Sequence, residues 1–328
     1  MNVAATEASS SRTEPVELSV VVPFYNEAAN VEPFFRRLEP VMDGLGVGWE
    51  AICVNDGSSD DTFARLAAQH QRRPGIKVID FSRNFGKEAA LSAGFQAARG
   101  KAVIPIDGDL QHPPELIPDL IAKWRDGFEM VYAVRRTRDD QDLLSRAFSR
   151  GFYWLFDKLT DTKLPREAGD FRLLDRHVVD VLNRMPERNR FMKGIFAWVG
   201  FRQVGVPFDA SDRHSGRSKM RKRRLFRFAA AGITAFSNFP LRVWGGIGAA
   251  ISAAAFIYIV FRLIRTLVYG IDLPGYESLI MTILFLGGTQ LLTLGIIGDY
   301  IGRMFDEVKG RPLYIVRRSL GVDLDPTS

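Results

Sequence analysis

Short apolar runs, each ending in an acidic or amide residue and each followed by a helical stretch, constrain this chain more than any other feature. Leu18-Ser19-Val20-Val21-Val22-Pro23 leads into Phe24-Tyr25-Asn26-Glu27, Glu50-Ala51-Ile52-Cys53-Val54-Asn55 into Asp56, and Ala102-Val103-Ile104-Pro105-Ile106 into Asp107-Gly108-Asp109. Runs this short suit buried strands. Strands are expected over 18–23, 49–54, 76–81, 102–106 and 128–134, and helices over 27–43, 60–72, 87–98 and 114–126. That alternation predicts an α/β domain with a mostly parallel sheet covered on both faces. Glu27 and Asp60 stand near helix starts, where negative charge complements the helix dipole. Pro113-Pro114 fits a first helical turn, where the missing N–H is not needed. Two further helical patterns fall at 145–160 and 173–184, and 195–207 reads as strand-like.

The strand ends matter for chemistry. Three of them, carrying acidic or amide groups, converge on one edge of such a sheet, where open α/β folds bind ligands. Asp107 and Asp109, one small residue apart, offer hard oxygens suited to Mg²⁺ or Mn²⁺ held jointly with substrate phosphates. An Asp-x-Asp alone is more often a turn or a cap; its weight here comes from the neighbouring strand ends.

The net charge of +6 is concentrated in local basic clusters, which points toward anionic lipid, phosphorylated substrates or nucleic acid. The single cysteine, Cys53, falls inside an expected strand, so it reads as a small core residue with no disulfide framework around it. The four histidines, at 70, 112, 177 and 214, lack zinc-ligand spacing. Residues 1–16 are polar and read as a disordered tail without a secretory signal.

The last third differs. Arg217, Lys219, Arg221, Lys222, Arg223, Arg224 and Arg227 crowd one stretch, and Leu225, Phe226, Phe228, Ile233, Phe236 and Phe239 interleave with and follow them. A basic segment running into an aromatic-rich helix suits a membrane interface better than nucleic acid, so 213–240 is expected to be interfacial. Val243 to Ile264 holds one charge, Arg262, near its far end, and Ser278 to Gly298 holds none. Each is long enough as a helix to cross a hydrocarbon core of about 30 Å. A short loop between them, with a Pro-Gly turn, predicts a two-helix transmembrane hairpin over 241–302. Basic residues before the first span and after the second, at Arg303, Lys309, Arg311, Arg317 and Arg318, place both termini in the cytoplasm. Gly245-Gly246-Ile247-Gly248 and Gly287-Gly288 allow close helix packing, and Gln290, mid-span, suits an interhelical hydrogen bond. In the tail 303–328, Pro312-Leu313-Tyr314-Ile315-Val316 reads as a short strand with an open edge, to be covered by a neighbouring subunit or by its own chain.

Several strings occur in a recognisable order. Val22-Pro23-Phe24-Tyr25-Asn26-Glu27, Val54-Asn55-Asp56-Gly57-Ser58-Ser59-Asp60-Asp61-Thr62, Phe81-Ser82-Arg83-Asn84-Phe85-Gly86-Lys87-Glu88 and Asp107-Gly108-Asp109-Leu110-Gln111-His112-Pro113-Pro114-Glu115 are followed by Gly169-Asp170-Phe171-Arg172-Leu173, Arg190-Phe191-Met192-Lys193-Gly194 and Arg213-His214-Ser215-Gly216-Arg217-Ser218-Lys219. Together they resemble the family 2 glycosyltransferases, in particular the dolichyl-phosphate mannose synthase-like polyprenyl-phosphate sugar transferases with two C-terminal spans. The resemblance covers nearly the whole chain after the tail.

It implies a GT-A (Rossmann-like) domain over 17–212 and inverting transfer from a nucleotide-sugar to a polyprenyl phosphate. By the same resemblance, Pro23, Tyr25, Glu27, Asp56, Lys87 and Asp107 serve the donor, with Asp56 either meeting the base or ribose or capping its own turn, and Lys87 either meeting the diphosphate or standing as a solvated helix residue. Asp107, Asp109 and Gln111 hold the divalent ion. Arg135, Arg213, Ser218 and Lys219 take the acceptor phosphate, Lys219 being otherwise one more interfacial charge; Asp170 and Asp109 are the catalytic candidates, Asp170 as the base or as a group that orients the sugar hydroxyls or Arg172. The expected partners are a nucleotide-sugar (UDP-glucose for preference, with GDP-mannose, UDP-GlcNAc and UDP-aminoarabinose as alternatives), undecaprenyl phosphate, the inner membrane and further copies of the chain as a tetramer, with no nucleic acid. A processive polysaccharide synthase is disfavoured because no Gln-x-x-Arg-Trp string occurs. A nucleotide-sugar sensor would not need the acceptor-side residues, and a dinucleotide-binding dehydrogenase lacks its Gly-x-Gly-x-x-Gly turn.

Overall fold

β1 (Leu18–Phe24) shows why the sheet is buried on both faces. Val20 and Val22 point into one apolar layer and Val21 into the other, and none of the three is exposed. A computed structural model describes residues 16–135, 168–208 apart from Asn189, isolated helical positions between 250 and 268, and 275–322. Its elements run β1, α1 (Ala28–Asp43), β2 (Trp49–Asn55), α2 (Thr62–Arg72), β3 (Ile76–Phe81), α3 (Lys87–Ala97), β4 (Ala102–Pro105), a 3-10 turn (Pro114–Leu116), α4 (Ile117–Arg125), β5 (Met130–Arg135), β6 (Ala168–Asp175), α5 (Arg176–Arg184), α6 (Met192–Trp198), β7 (Gln203–Phe208), α7 (Tyr276–Val308) and β8 (Val316–Leu320).

These strands form one sheet in the order β7-β5-β6-β4-β1-β2-β3-β8. Its centre, β4-β1-β2-β3, is parallel, as expected from the helical crossovers. β5 and β7 are also parallel, whereas β6 runs antiparallel to both β4 and β5. On one side of the sheet Phe24, Phe34 and Phe35 interlock edge to face at 5.9 and 5.5 Å. On the other, α3, α5 and α6 cover Ile52, Val54, Ile79 and Phe81.

Three expectations change. Residues 173–175 finish β6, and only 176–184 are helical, Asp175 capping α5 by accepting from the His177 N–H at 2.9 Å. The stretch 195–207 begins inside α6 and becomes strand only at Gln203. The C-terminal strand lies at 316–320 instead of 312–316 and closes back onto its own chain as the last strand of the sheet. It pairs antiparallel with β3, Val78 opposite Leu320 and Ile79 opposite Ser319. One of its edges is covered by its own chain, and the outer one is left at the end of the sheet. Tyr314 is buried, stacked on Phe81 at 4.9 Å, and its hydroxyl donates to Gln96 on α3.

The expected helix 145–160, the interfacial segment 213–240 and most of the first span lie outside the described residues. Among the described residues no helix is long and apolar enough to cross a membrane. α7, 33 residues long, contains the second expected span. Several of its side chains fall outside the description, and the hairpin is not shown.

Candidate active site

The carboxyl ends of β4, β1 and β2 stand side by side, in that order. Asp107 and Asp109 follow β4, Tyr25 and Glu27 follow β1, and Asp56 follows β2. The Ile106 N–H reaches the Val21 carbonyl at 3.0 Å and the Asp56 N–H the Phe24 carbonyl at 2.9 Å. The sheet's hydrogen bonding thus continues past the strands and fixes the acidic residues.

Local chemistry locks the turns together. Asn26 adopts a left-handed backbone, φ 54°. Its N–H donates to the Ser58 hydroxyl at 2.9 Å, and its amide oxygen accepts from the Ser59 N–H at 2.9 Å. Asp60 accepts from the Ala28 N–H at 3.1 Å. Gly57, at φ +63°, lies so close to the 83–84 backbone that a Cβ there would sit 2.2 Å from the Arg83 carbonyl carbon. Asp56 crosses the same gap, its two carboxylate oxygens accepting from the Phe85 and Gly86 N–H groups at 2.7 and 2.9 Å. Burial raises its pKa, against those N–H groups and Arg83. In this arrangement Asp56 fastens the loop that launches α3, so the turn-pinning role is the one the geometry displays.

α3 opens with Lys87, whose ammonium bridges two carboxylates. It lies 2.6 Å from Asp107 Oδ1 and 2.6 Å from Asp170 Oδ2 on β6. Burial acts against the cation, but Asp107 and Asp170 outweigh it and raise its pKa. Burial would likewise raise Asp170, yet Lys87, Lys193 and Arg172 bring it down to about 2. Ionised and 2.6 Å from the Lys87 ammonium, Asp170 is placed to orient that lysine. Glu27 is raised by burial, with Asn30 opposing and Asp109, Asp60 and Asp107 adding their repulsion. The site gathers negative charge and meets it with Lys87.

Asp109 Oδ1 accepts from the Gln111 N–H at 3.1 Å, and Leu110 between them is left-handed at φ 62°. The turn tightens against Phe24, where a Cβ on Gly108 would come within 2.3 Å of the ring. Among the described residues no group of three His, Cys, Asp or Glu suits a metal ion. Two carboxylates here, with substrate phosphates supplying further oxygens, still fit the way Mg²⁺ is commonly held. Pro23 lies within β1 beside this edge, and Tyr25 is exposed. Arg135 ends β5, but its side chain, like Arg213, Ser218 and Lys219, lies outside the described residues.

Sequence reasoning assigned no role to three neighbours. His112 packs against Phe171 at 5.4 Å with Nδ1 3.8 Å from Asp107; burial lowers its pKa despite Asp107 and Asp109. Arg172 lies beneath Asp170, its guanidinium 3.9 Å over the Phe196 ring, and burial brings it to about 10. Glu88 follows Lys87, and burial, then Asp170, raise it to about 7. All three stand inside the motif strings 81–88, 107–115 and 169–173, which signalled them without a role.

Comparison with known proteins agrees with this picture. Residues 19–182 match the glycosyl transferase family 2 profile, and residues 239–304 match a profile described as the GtrB C-terminal hairpin. An uncharacterized glycosyltransferase of Synechocystis is 49% identical over 95% of this chain and 98% of its own. A prophage-derived bactoprenol glucosyl transferase of Shigella flexneri is 43% identical over 93% and 98%. An uncharacterized glycosyltransferase of Bacillus subtilis is 41% identical over 94% and 95%. With the acidic strand ends of its sheet, the profile match and relatives of this closeness along nearly its whole length, the chain is a glycosyltransferase and belongs to family 2.

Proposed function

We propose that the protein transfers glucose, with inversion, from UDP-glucose to undecaprenyl phosphate at the cytoplasmic face of the inner membrane. The observation that carries this reading is full-length likeness, at 43% identity, to proteins named bactoprenol glucosyl transferase. The match to a C-terminal hairpin profile supports the membrane setting. So does α7, where Leu279, Phe285, Leu291 and Leu294 are exposed at 58, 63, 72 and 62%. Apolar side chains so exposed on one long helix call for lipid or another helix.

In this reading Pro23, Tyr25 and Glu27 border the nucleotide, and Asp56 holds the loop beside it. Asp107, Asp109 and Gln111 would hold Mg²⁺ or Mn²⁺ at the donor site. The ion supplies neutralisation of the charge that grows on the departing nucleoside diphosphate. Lys87 turns from Asp107 toward the same oxygens while Asp170 keeps hold of it. The acceptor is a phosphate monoester, largely ionised near neutral pH, so it needs placement and positive charge more than a strong base. Arg135, Arg213, Ser218 and Lys219 supply these, while Asp170 keeps Lys87 aimed. A homo-oligomer, a tetramer, belongs to the same proposal. Among the described residues nothing stands within 4 Å of a Cβ built at Gly287, Gly288, Gly295 or Gly298 on α7, which suits close approach of a second helix. A monomeric mass by light scattering in mild detergent overturns that part.

The deciding experiment incubates membranes holding the protein with radiolabelled UDP-glucose and extracts the organic phase. A mild-acid-labile lipid-linked monosaccharide is expected. GDP-mannose, UDP-GlcNAc and UDP-aminoarabinose run in parallel. Label entering lipid from one of these and not from UDP-glucose changes the donor, and no lipid product from any donor overturns the reading.

A further inference from the structure

Glu88 is the carboxyl in the site with the least explanation. It stands in the first turn of α3, next to the Lys87 that bridges Asp107 and Asp170. Its Oε2 is buried and has no hydrogen-bond partner among the described residues. A buried acceptor left open costs free energy and needs a reason. Its carboxylate accepts the Met192 N–H, at the start of α6. One turn further along α3, the Ser92 hydroxyl accepts from Arg190 at 3.1 Å. The same guanidinium donates to the Met185 carbonyl at 2.8 Å. The segment 190–192 is therefore stapled to α3 at two successive turns of one helix face.

What the staple positions is Lys193. This partly exposed lysine, the second residue of α6, lies near enough to Asp170 and Glu88 for its charge to lower the pKa of both. Lys87 is already taken up by two carboxylates, whereas Lys193 is in an ion pair with none of the described residues. We propose that Glu88 is a positioning residue of the transfer, holding the start of α6 so that Lys193 faces the diphosphate of the nucleotide-sugar. This rests on the reading of the site as a sugar-transfer centre.

A consequence in pH follows. The charged groups around Glu88 are Lys87 on its own helix, Asp170 and Arg172 from β6, Lys193 from α6 and Arg190 from the turn before it. Asp170, at about 2, stays ionised near neutrality. Arg172, at about 10, stays charged. Glu88, at about 7, changes charge there. Neutral Glu88 leaves the Lys193 charge to the donor, while ionised Glu88 competes for it. The effect is an unlike-charge interaction in a partly buried site, on the order of 1 kcal/mol, or about fivefold in affinity.

The test measures nucleotide-sugar binding by calorimetry on the full-length protein, with Mg²⁺ saturating, no lipid acceptor and pH from 6 to 8.5. Each phosphorus of a nucleotide-sugar carries one strongly acidic oxygen, so the ligand does not titrate in this range. Wild-type affinity is expected to fall about fivefold with rising pH. Glu88→Gln is expected to remove the slope and keep the low-pH affinity throughout, and Lys193→Met to bind about fivefold more weakly with no slope. Thermal stability gives an independent readout. A carboxyl raised from 4.5 to about 7 in the folded state contributes stability fully present below 4.5 and lost as pH rises through 7. The Tm of Glu88→Gln should accordingly gain on wild type between those values. Wild-type binding without a slope, or a glutamine variant that keeps the wild-type slope, overturns the inference and leaves the sugar-transfer reading intact. Wild-type protein that binds no nucleotide-sugar at any pH overturns the reading itself.

Discussion

At the scale of single residues, the site is an arrangement of opposed charges kept ready by burial. Lys87 is held by Asp107 and Asp170, and the three groups satisfy one another until an anionic donor arrives. Asp170→Asn removes one holder without changing shape. Because Asp170 is ionised down to about pH 2, it can contribute no acidic limb to a pH–rate profile near neutrality. The expected outcome is a loss of kcat on the order of a hundredfold, with the profile's shape unchanged. A limb that vanishes in the variant would make Asp170 the base after all. The stability Asp170 adds is present above pH 3.8 and lost as pH falls toward 2, so Asp170→Asn should narrow its Tm deficit in acid. Gly108 carries a different constraint. Alanine there drives a methyl into the Phe24 ring, and overpacking of this kind costs about 1–3 kcal/mol. Chemical denaturation should show that loss, and transfer activity should fall with it, since Asp107 and Asp109 flank the substituted residue.

At the scale of elements, the central strands were legible because short apolar runs bounded by Asn, Asp and Gly leave few alternatives. Expected and observed limits of β1 to β5 differ by no more than two residues. Legibility failed where a short apolar run fits either period. Met192-Lys193-Gly194-Ile195-Phe196-Ala197-Trp198 carries no strict alternation and no cap, so nothing local separates helix from strand. β6 was half lost for a related reason: an antiparallel strand running without a turn residue into the cap of α5 looks like one helical pattern. The site divides in the same way. Carboxylates at strand ends announce themselves, whereas Glu88 and His112 matter because of what folds over them, which no local pattern encodes. β8 was displaced by four residues because its pairing partner, β3, lies more than two hundred residues away in sequence. Its function now reads as structural. Removing residues 311–328 strips the edge of β3 and uncovers Phe81, so the truncated protein should lose stability and aggregate. Tyr314→Ala, which deletes a buried ring and its bond to Gln96, should cost about 3–5 kcal/mol, read from denaturant midpoints. A truncated chain as stable as the full one would mean that β8 merely decorates the sheet.

At the scale of the whole molecule, the decisive question is whether α7 ties the sheet to a membrane. The glycosyltransferase site lies at one end of the sheet, while the other end of the story is α7, whose C-terminal turn docks on the catalytic domain. The Arg188 N–H donates to the Glu307 carboxylate at 2.9 Å, and the Arg188 guanidinium donates to the Arg311 carbonyl at 2.7 Å. If α7 crosses the bilayer, that dock fixes its cytoplasmic end to the domain carrying the site, and the short segment before α7, which contains Asp272, must lie on the far side. The native thiol makes this testable, because Cys53 is fully buried and burial raises its pKa, so it stays silent toward maleimides. A reporter cysteine placed by Asp272→Cys is expected to react with a membrane-impermeant maleimide in intact cells. One placed by Thr327→Cys is expected to react only after permeabilisation. The reverse pattern would invert the topology and put the site on the wrong face for a cytoplasmic nucleotide-sugar. Protection of both until permeabilisation, with release of the protein by alkaline carbonate, would show that the helices lie within the soluble body or on the membrane surface and that no hairpin spans it.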